Sequence, residues 1–146
     1  KLLKNNKFIK NYINTFENLS SKNLNELNLI FHDDIIFKDP FHEVKGKKSV
    51  IYIFEKMFVQ LDKPKFKVID YGISNSNNNI IYLRWLLLGK FRNSSKLLKI
   101  QGMSEVTFNN LGEVISHTDH WDSLSELLIK LPKIGFIIDF FKRKFL

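Results

Sequence analysis

The chain contains no cysteine, so disulfides and thiolate chemistry are excluded and the redox compartment goes unread. No apolar run reaches the ~18 residues that a membrane-spanning helix needs. No secretory leader is legible, and the first residue is Lys1 rather than Met, which leaves an upstream segment open. There is no Arg-rich stripe, internal repeat, linker or low-complexity boundary. The four histidines and several aspartates have no spacing resembling a closed metal site, so no metal is expected.

What is there points to one packed domain. The 146 residues are 44% hydrophobic and include 14 Phe, enough for a single core and too apolar for a disordered chain. The net charge is +8. Residues 130–146 hold five basic residues, Lys130, Lys133, Lys142, Arg143 and Lys144, against Asp139. The remaining basic residues are scattered, which argues against nucleic acid as a partner. An AT-rich coding bias is a plain source of the many Lys, Asn, Ile and Phe residues.

Hydrophobic spacing predicts a helix over 4–19, with Phe8, Ile9, Tyr12, Ile13, Phe16 and Leu19 on one face. A short helix carrying Leu24, Leu27 and Ile30 follows. A strand over 34–39 stops at Pro40, and a helix is expected over 48–61. Strands are predicted over 65–72, 80–91, 96–108 and 113–121, separated by Asn-, Ser- and Gly-containing turns. Ser123 to Glu126 reads as a capping box opening a helix to Leu131, and Pro132 precedes a last helix over 133–145. Helices first and strands last imply an α+β fold, a curved antiparallel sheet wrapped around N-terminal helices as a cone. The domain is placed at 1–131, with an apolar and basic C-terminal helix over 132–146.

Three stretches carry candidate chemistry: Phe37 to Phe41 around Asp39, Tyr82 to Trp85 around Arg84, and His117 to Asp122 around Asp119. Two carboxylates and a guanidinium meeting in an apolar cavity are the parts of an acid–base site. Each has a plainer reading. Asp39 beside Pro40 caps a turn as readily as it serves as a base. His117 and Asp119 share a strand face with Ile115 and Trp121, which suits a cavity wall or a structural hydrogen-bonded pair. Alternation puts Arg84 with Ile80, Tyr82 and Leu86, opposite the wholly apolar Ile81, Leu83, Trp85 and Leu87. Parity alone therefore puts Arg84 on the outer face. Tyr12 lies on the apolar face of its helix, as a core residue or a hydroxyl donor.

The segments Phe31 to Phe41, Gly46, Arg84-Trp85, Gly102-Met103-Ser104, Phe108 to Val114 and Asp119 to Asp122 together resemble the nuclear transport factor 2-like superfamily. Within it, the chain is similar to the SnoaL-like bacterial branch, over roughly residues 5–131. The resemblance implies a ligand cavity and homodimerisation through one sheet face. Steroid-isomerase relatives imply Asp39 as base and Tyr12 as oxyanion donor, but Ser104 stands where their second, acidic donor would be. Epoxide-hydrolase relatives imply Arg84 and Asp119, facing inward, but Leu86 stands where their proton donor would be; Asp39 or His117 would have to replace it. The catalytic set implied is Asp39, Asp119, Arg84, Tyr12 and His117, with Phe16, Phe37, Phe54, Phe58, Tyr82, Ser104, Val106 and Trp121 around the ligand. The function expected is a small apolar-molecule pocket protein, an isomerase or hydrolase needing no cofactor. The alternative is a non-catalytic binding or dimerisation module. The location expected is cytoplasmic. The run Ile134, Phe136, Ile137, Ile138, Phe140, Phe141, Phe145 and Leu146 leaves open a lid, a dimer contact or peripheral membrane contact.

Overall fold

The computed structural model describes residues 2–92 and 94–127, with side chains from Asn6 onward. The helix expected over 133–145 and the end of the one expected over 123–131 lie outside the described residues.

Helix α1 (Leu2–Glu17) buries Ile9, Tyr12 and Phe16, spaced along one face as an amphipathic helix requires. A single 3₁₀ turn (Leu24–Glu26) and the short α2 (Leu27–Ile30) replace the second expected helix, and Leu27 and Ile30 are buried. Strand β1 (Phe31–Lys38) begins three residues earlier than the alternation suggested. A three-residue strand β2 (Glu43–Lys45), too short to show a period, pairs antiparallel with it. Gly46 has φ +99°, a conformation that favours glycine, and it turns the chain into α3 (Lys47–Gln60). Lys47 staples this corner, donating to Asp33 at 2.9 Å and to the Asn28 carbonyl at 3.1 Å. The ammonium beside Asp33 holds its carboxyl below the usual carboxylate range.

The rest of the sheet is a meander of long strands: β3 (Leu61–Ile73), β4 (Ile80–Phe91), β5 (Leu97–Phe108) and β6 (Val114–Trp121). The order across the sheet is β2-β1-β6-β5-β4-β3. The pairings are antiparallel except one: β1 runs parallel to β6, so the sheet is mixed rather than wholly antiparallel. The fold is α+β, a curved, unclosed six-stranded sheet with helices against its inner face. After β6, the helix α4 (Ser123–Glu126) is capped by the Asp122 carboxylate, which accepts from the Ser125 amide at 2.9 Å. The cap therefore falls one residue before the capping box expected at Ser123.

The core lies between the inner sheet face and α1 and α3. It includes Phe31, Ile35 and Phe37 from β1 and Ile81, Leu83, Trp85 and Leu87 from β4. Burying each such side chain contributes roughly 1.5–3 kcal/mol. The β5–β6 turn closes on Gly112, at φ +87° and against the Phe8 ring, so that an added Cβ would overlap the ring. Gly112→Ala is expected to cost about 2 kcal/mol, from left-handed strain and displacement of Phe8. Thermal unfolding should show a midpoint lowered by roughly 4–8 °C. An unchanged midpoint would mean that the turn relaxes without loss.

Candidate functional site

The concave sheet face and α3 enclose a cavity of about 760 Å³. Its wall is largely apolar, with Phe37, Phe41, Phe54, Phe66, Trp85 and Trp121 among its aromatic residues. Phe41 meets Trp121 edge to face at 5.7 Å, and Phe66 meets Trp85 at 6.2 Å. A small inner chamber of about 30 Å³ shares Phe54, Phe66, Trp85 and Asp119 with the main cavity. It reaches inward to Tyr12, Phe16, Ser104 and His117.

Asp119 is the hinge between the two spaces, and a line of hydrogen bonds ends on it. His117 Nε2 lies 2.7 Å from Asp119 Oδ1, and the Tyr12 hydroxyl lies 2.6 Å from His117 Nδ1. From the other side, Trp85 Nε1 donates to Ser104 Oγ at 2.7 Å, and Ser104 donates in turn to Asp119 Oδ1. With Asp119 ionised, one proton arrangement satisfies every member. Nε2 carries the imidazole proton toward the carboxylate, and Nδ1 accepts from Tyr12. Both donors converge on Oδ1, Oδ2 has no hydrogen bond among the described residues, and Asp119 lines the cavity. Burial first, and the Asp119 charge second, push the Tyr12 hydroxyl well above its ordinary pKa. Tyr12 thus keeps its proton and serves as a fixed donor.

Four elements build this line. Tyr12 comes from α1, Trp85 from β4, Ser104 from β5, and His117 and Asp119 from β6. Register places Ser104 directly opposite Asp119 and Gly102 opposite both Trp85 and Trp121. A Cβ on Gly102 would overlap the Trp85 indole, so glycine there makes room for the ring that holds Ser104.

Asp39 also lines the main cavity, but its carboxylate is committed elsewhere. Its Oδ1 accepts from the Phe41 amide at 2.7 Å and the His42 amide at 2.6 Å. The His42 ring nitrogen stands 3.0 Å from both oxygens. This is the turn-capping geometry of an Asp-Pro step, and it presents Phe41 to Trp121. Asp39 and Asp119 share one cavity without touching each other.

Arg84 does not join them. Its side chain is exposed on the outer sheet face, as are Tyr82 and Leu88. Parity decides the matter: turning Arg84 inward would turn Leu83, Trp85 and Leu87 out to solvent and bury a charge without a partner. The inward Arg84 and the cavity-lining Tyr82 implied by the resemblance are corrected accordingly. Leu86 shares their side of the strand, so that position would not place an acid in the cavity. Phe58 is buried but lines grooves on the far side of α3, and Val106 is fully buried in the core. Of the other residues expected around a ligand, Phe37, Phe54 and Trp121 line the main cavity, and Phe16, Phe54 and Ser104 line the inner chamber. Phe66, Trp85 and Phe41 are wall residues that sequence reasoning left out. Trp85 was legible through strand alternation, whereas Phe66 and Phe41 carried no comparable signal.

The mixed six-stranded cone with helices in its concavity is the nuclear transport factor 2 or ketosteroid isomerase type of fold. A SnoaL-like domain matches residues 11–117, and the chain belongs to that family. Tyr12 and His117 fall inside the match, and Asp119 lies just beyond it. No curated protein matches the chain by sequence. An NTF2-like protein of unknown function from Burkholderia pseudomallei superposes with a TM-score of 0.71 at 14% identity, covering 88% of this chain and 97% of its own. An LEH-like epoxide hydrolase from M. tuberculosis superposes with a TM-score of 0.66 at 10% identity, covering 92% and 93%. A protein with a ketosteroid isomerase-like fold from Catenulispora acidiphila, solved with trimethylamine, gives 0.69 at 11% identity, covering 84% and 90%. At these identities the likeness shows the fold. No helix among the described residues is long and apolar enough to cross a membrane.

Proposed function

We propose that this protein binds a small apolar molecule in its aromatic cavity and catalyses a proton transfer on it, with Asp119 as the base. One observation carries the reading. A carboxylate with one oxygen tied by Ser104 and His117 lines a largely apolar cavity, and its other oxygen has no hydrogen bond among the described residues. In such surroundings a carboxylate is poorly solvated and fixed in direction, which favours proton abstraction from a bound carbon acid. An isomerisation or a related carbon-acid reaction fits better than epoxide hydrolysis, because Arg84 and position 86 face away from the cavity. Asp39 holds the Phe41 turn in this reading, and Tyr12 orients His117.

The test uses bicyclic aryl ketones such as tetralone in deuterium oxide, with exchange of the α-hydrogens followed by NMR. Exchange that rises in proportion to protein concentration supports the reading. Binding, seen as a change in Trp emission, without accelerated exchange across the panel overturns the catalytic part and leaves a non-catalytic binding module.

A second copy of the chain is the partner proposed for the outer sheet face. Tyr82, Leu88, Leu97 and Met103 are exposed there, at 41%, 42%, 83% and 50%. Arg84 and Glu105 lie on adjacent strands of the same face, neither in an ion pair among the described residues. A two-fold axis through the face would bring these opposite charges together. Met103→Glu is expected to shift sedimentation from dimer toward monomer. An unchanged dimer, or a monomeric wild-type protein, would refute this interface.

A further inference from the structure

We infer, resting on the pocket reading, that the cavity selects ligands with a flat apolar body and one anionic end, held by Lys48 and Lys56 at the mouth. The cavity wall carries opposite charges on different elements, Lys48 and Lys56 on α3 and Asp119 on β6. Its inner end is the Asp119 carboxylate. Its mouth is one stripe of α3, where Lys48, Tyr52 and Lys56 recur every fourth residue and so lie on one face. All three line the cavity and are exposed. Lys56 Nζ stands 5.1 Å from the centroid of the Tyr52 ring.

These two lysines differ from others nearby. Lys38, Lys45 and Lys47 each have a carboxylate within reach, at 3.4, 3.5 and 2.9 Å. Among the described residues, Lys48 and Lys56 have none. The other acid on the wall, Asp39, is engaged by His42 and two amides. Residues 128–146 bring no net negative charge, since Lys and Arg outnumber Asp139 among them. An anionic group at the inner end would meet Asp119 and be repelled. The same group at the mouth would meet two ammonium groups above an aromatic wall. The polarity therefore also sets the ligand's direction, with its neutral, reacting end inward. A carboxylate, sulfonate or phenolate on a fused-ring body has this chemistry.

The test compares two fluorescent probes with the same ring body on the full chain at low salt. Anilinonaphthalene sulfonate carries a negative charge; N-phenylnaphthylamine lacks it. In the double variant Lys48→Gln/Lys56→Gln, the ratio of sulfonate affinity to neutral-probe affinity should fall about five- to tenfold, the effect of two partly solvated charge contacts. Affinity for the neutral probe should stay unchanged, which also checks folding. Lys10→Gln/Lys22→Gln removes the same charge from exposed positions off the cavity wall and off the outer sheet face, and should leave the ratio intact. A ratio unchanged in the first variant, or lowered equally in both, overturns the inference, because net charge alone would then account for sulfonate binding. If the neutral probe binds and only the ratio test fails, the pocket reading stands without the anion contact. If neither probe binds, the pocket reading falls and this inference falls with it.

Discussion

Asp119→Asn is expected to lower kcat by about a hundred- to ten-thousandfold on any ketone whose exchange the wild-type protein accelerates, the usual range for a positioned general base. The fold should survive the change. The amide Oδ1 of Asn can still accept from Ser104 Oγ and from His117 Nε2, the two groups that now bond the carboxylate. The side chains are almost the same size, so the walls formed by Trp85 and Trp121 need not move. What changes is the other oxygen, which has no hydrogen bond among the described residues and becomes an NH₂ donor that cannot take a proton. Thermal unfolding within a few degrees of wild type, together with lost exchange, would assign the chemistry to that atom. Retained exchange in a folded Asn variant would remove Asp119 from the mechanism and return attention to Asp39.

Tyr12→Phe is expected to have two effects, separable by pH. At neutral pH it leaves His117 Nδ1 without its buried donor, at a cost of about 1–3 kcal/mol. Above pH ~10 the difference from wild type should close. The tyrosine keeps its proton more tightly in the folded protein, because burial and the Asp119 charge oppose the phenolate. Once pH passes the unfolded value near 10, the unfolded chain has lost that proton while the folded chain holds it. The folded state then binds more protons, so stability falls as pH rises, by up to about 1.4 kcal/mol per pH unit for this one group. Below pH ~10 both states are protonated, and Tyr12 adds no slope. Denaturant unfolding between pH 8 and pH 11 should show a steeper alkaline decline in the wild-type protein than in Tyr12→Phe. Parallel declines would mean that the hydroxyl is not held as the buried donor of His117.

Much of the architecture was legible locally. The α1 face was readable because Ile9, Tyr12 and Phe16 recur at helical spacing, and these residues are buried. Alternation along β4 was readable too, and it put Arg84 outside, against what the family resemblance implied. His117 and Asp119 stood out as polar residues on a face shared with Trp121. Other features had no local signal. Strand β2 is three residues long, and β1 pairs parallel with β6, which follows some 75 residues later in the chain. The role of Asp39 turned on amides within its own turn, which satisfy its carboxylate before any ligand arrives.

The sequence by itself determined that the fold is α+β, which face of β4 points inward, and that Asp119 and His117 are neighbours on one face of β6, although Ile115, expected on that face, is exposed while Val114 is buried. Period-two and helical patterns carry that information because burial is decided residue by residue along each element. Only the tertiary structure decided that Tyr12, 105 residues away from His117, completes the line with Trp85 and Ser104, and that Arg84 does not. Hydrogen bonds form only within about 3 Å, and that proximity is set by how α1 packs on the sheet and by the register of β4, β5 and β6. A local hydrophobic pattern specifies which side a residue faces, but it does not specify its distance from a residue on another element.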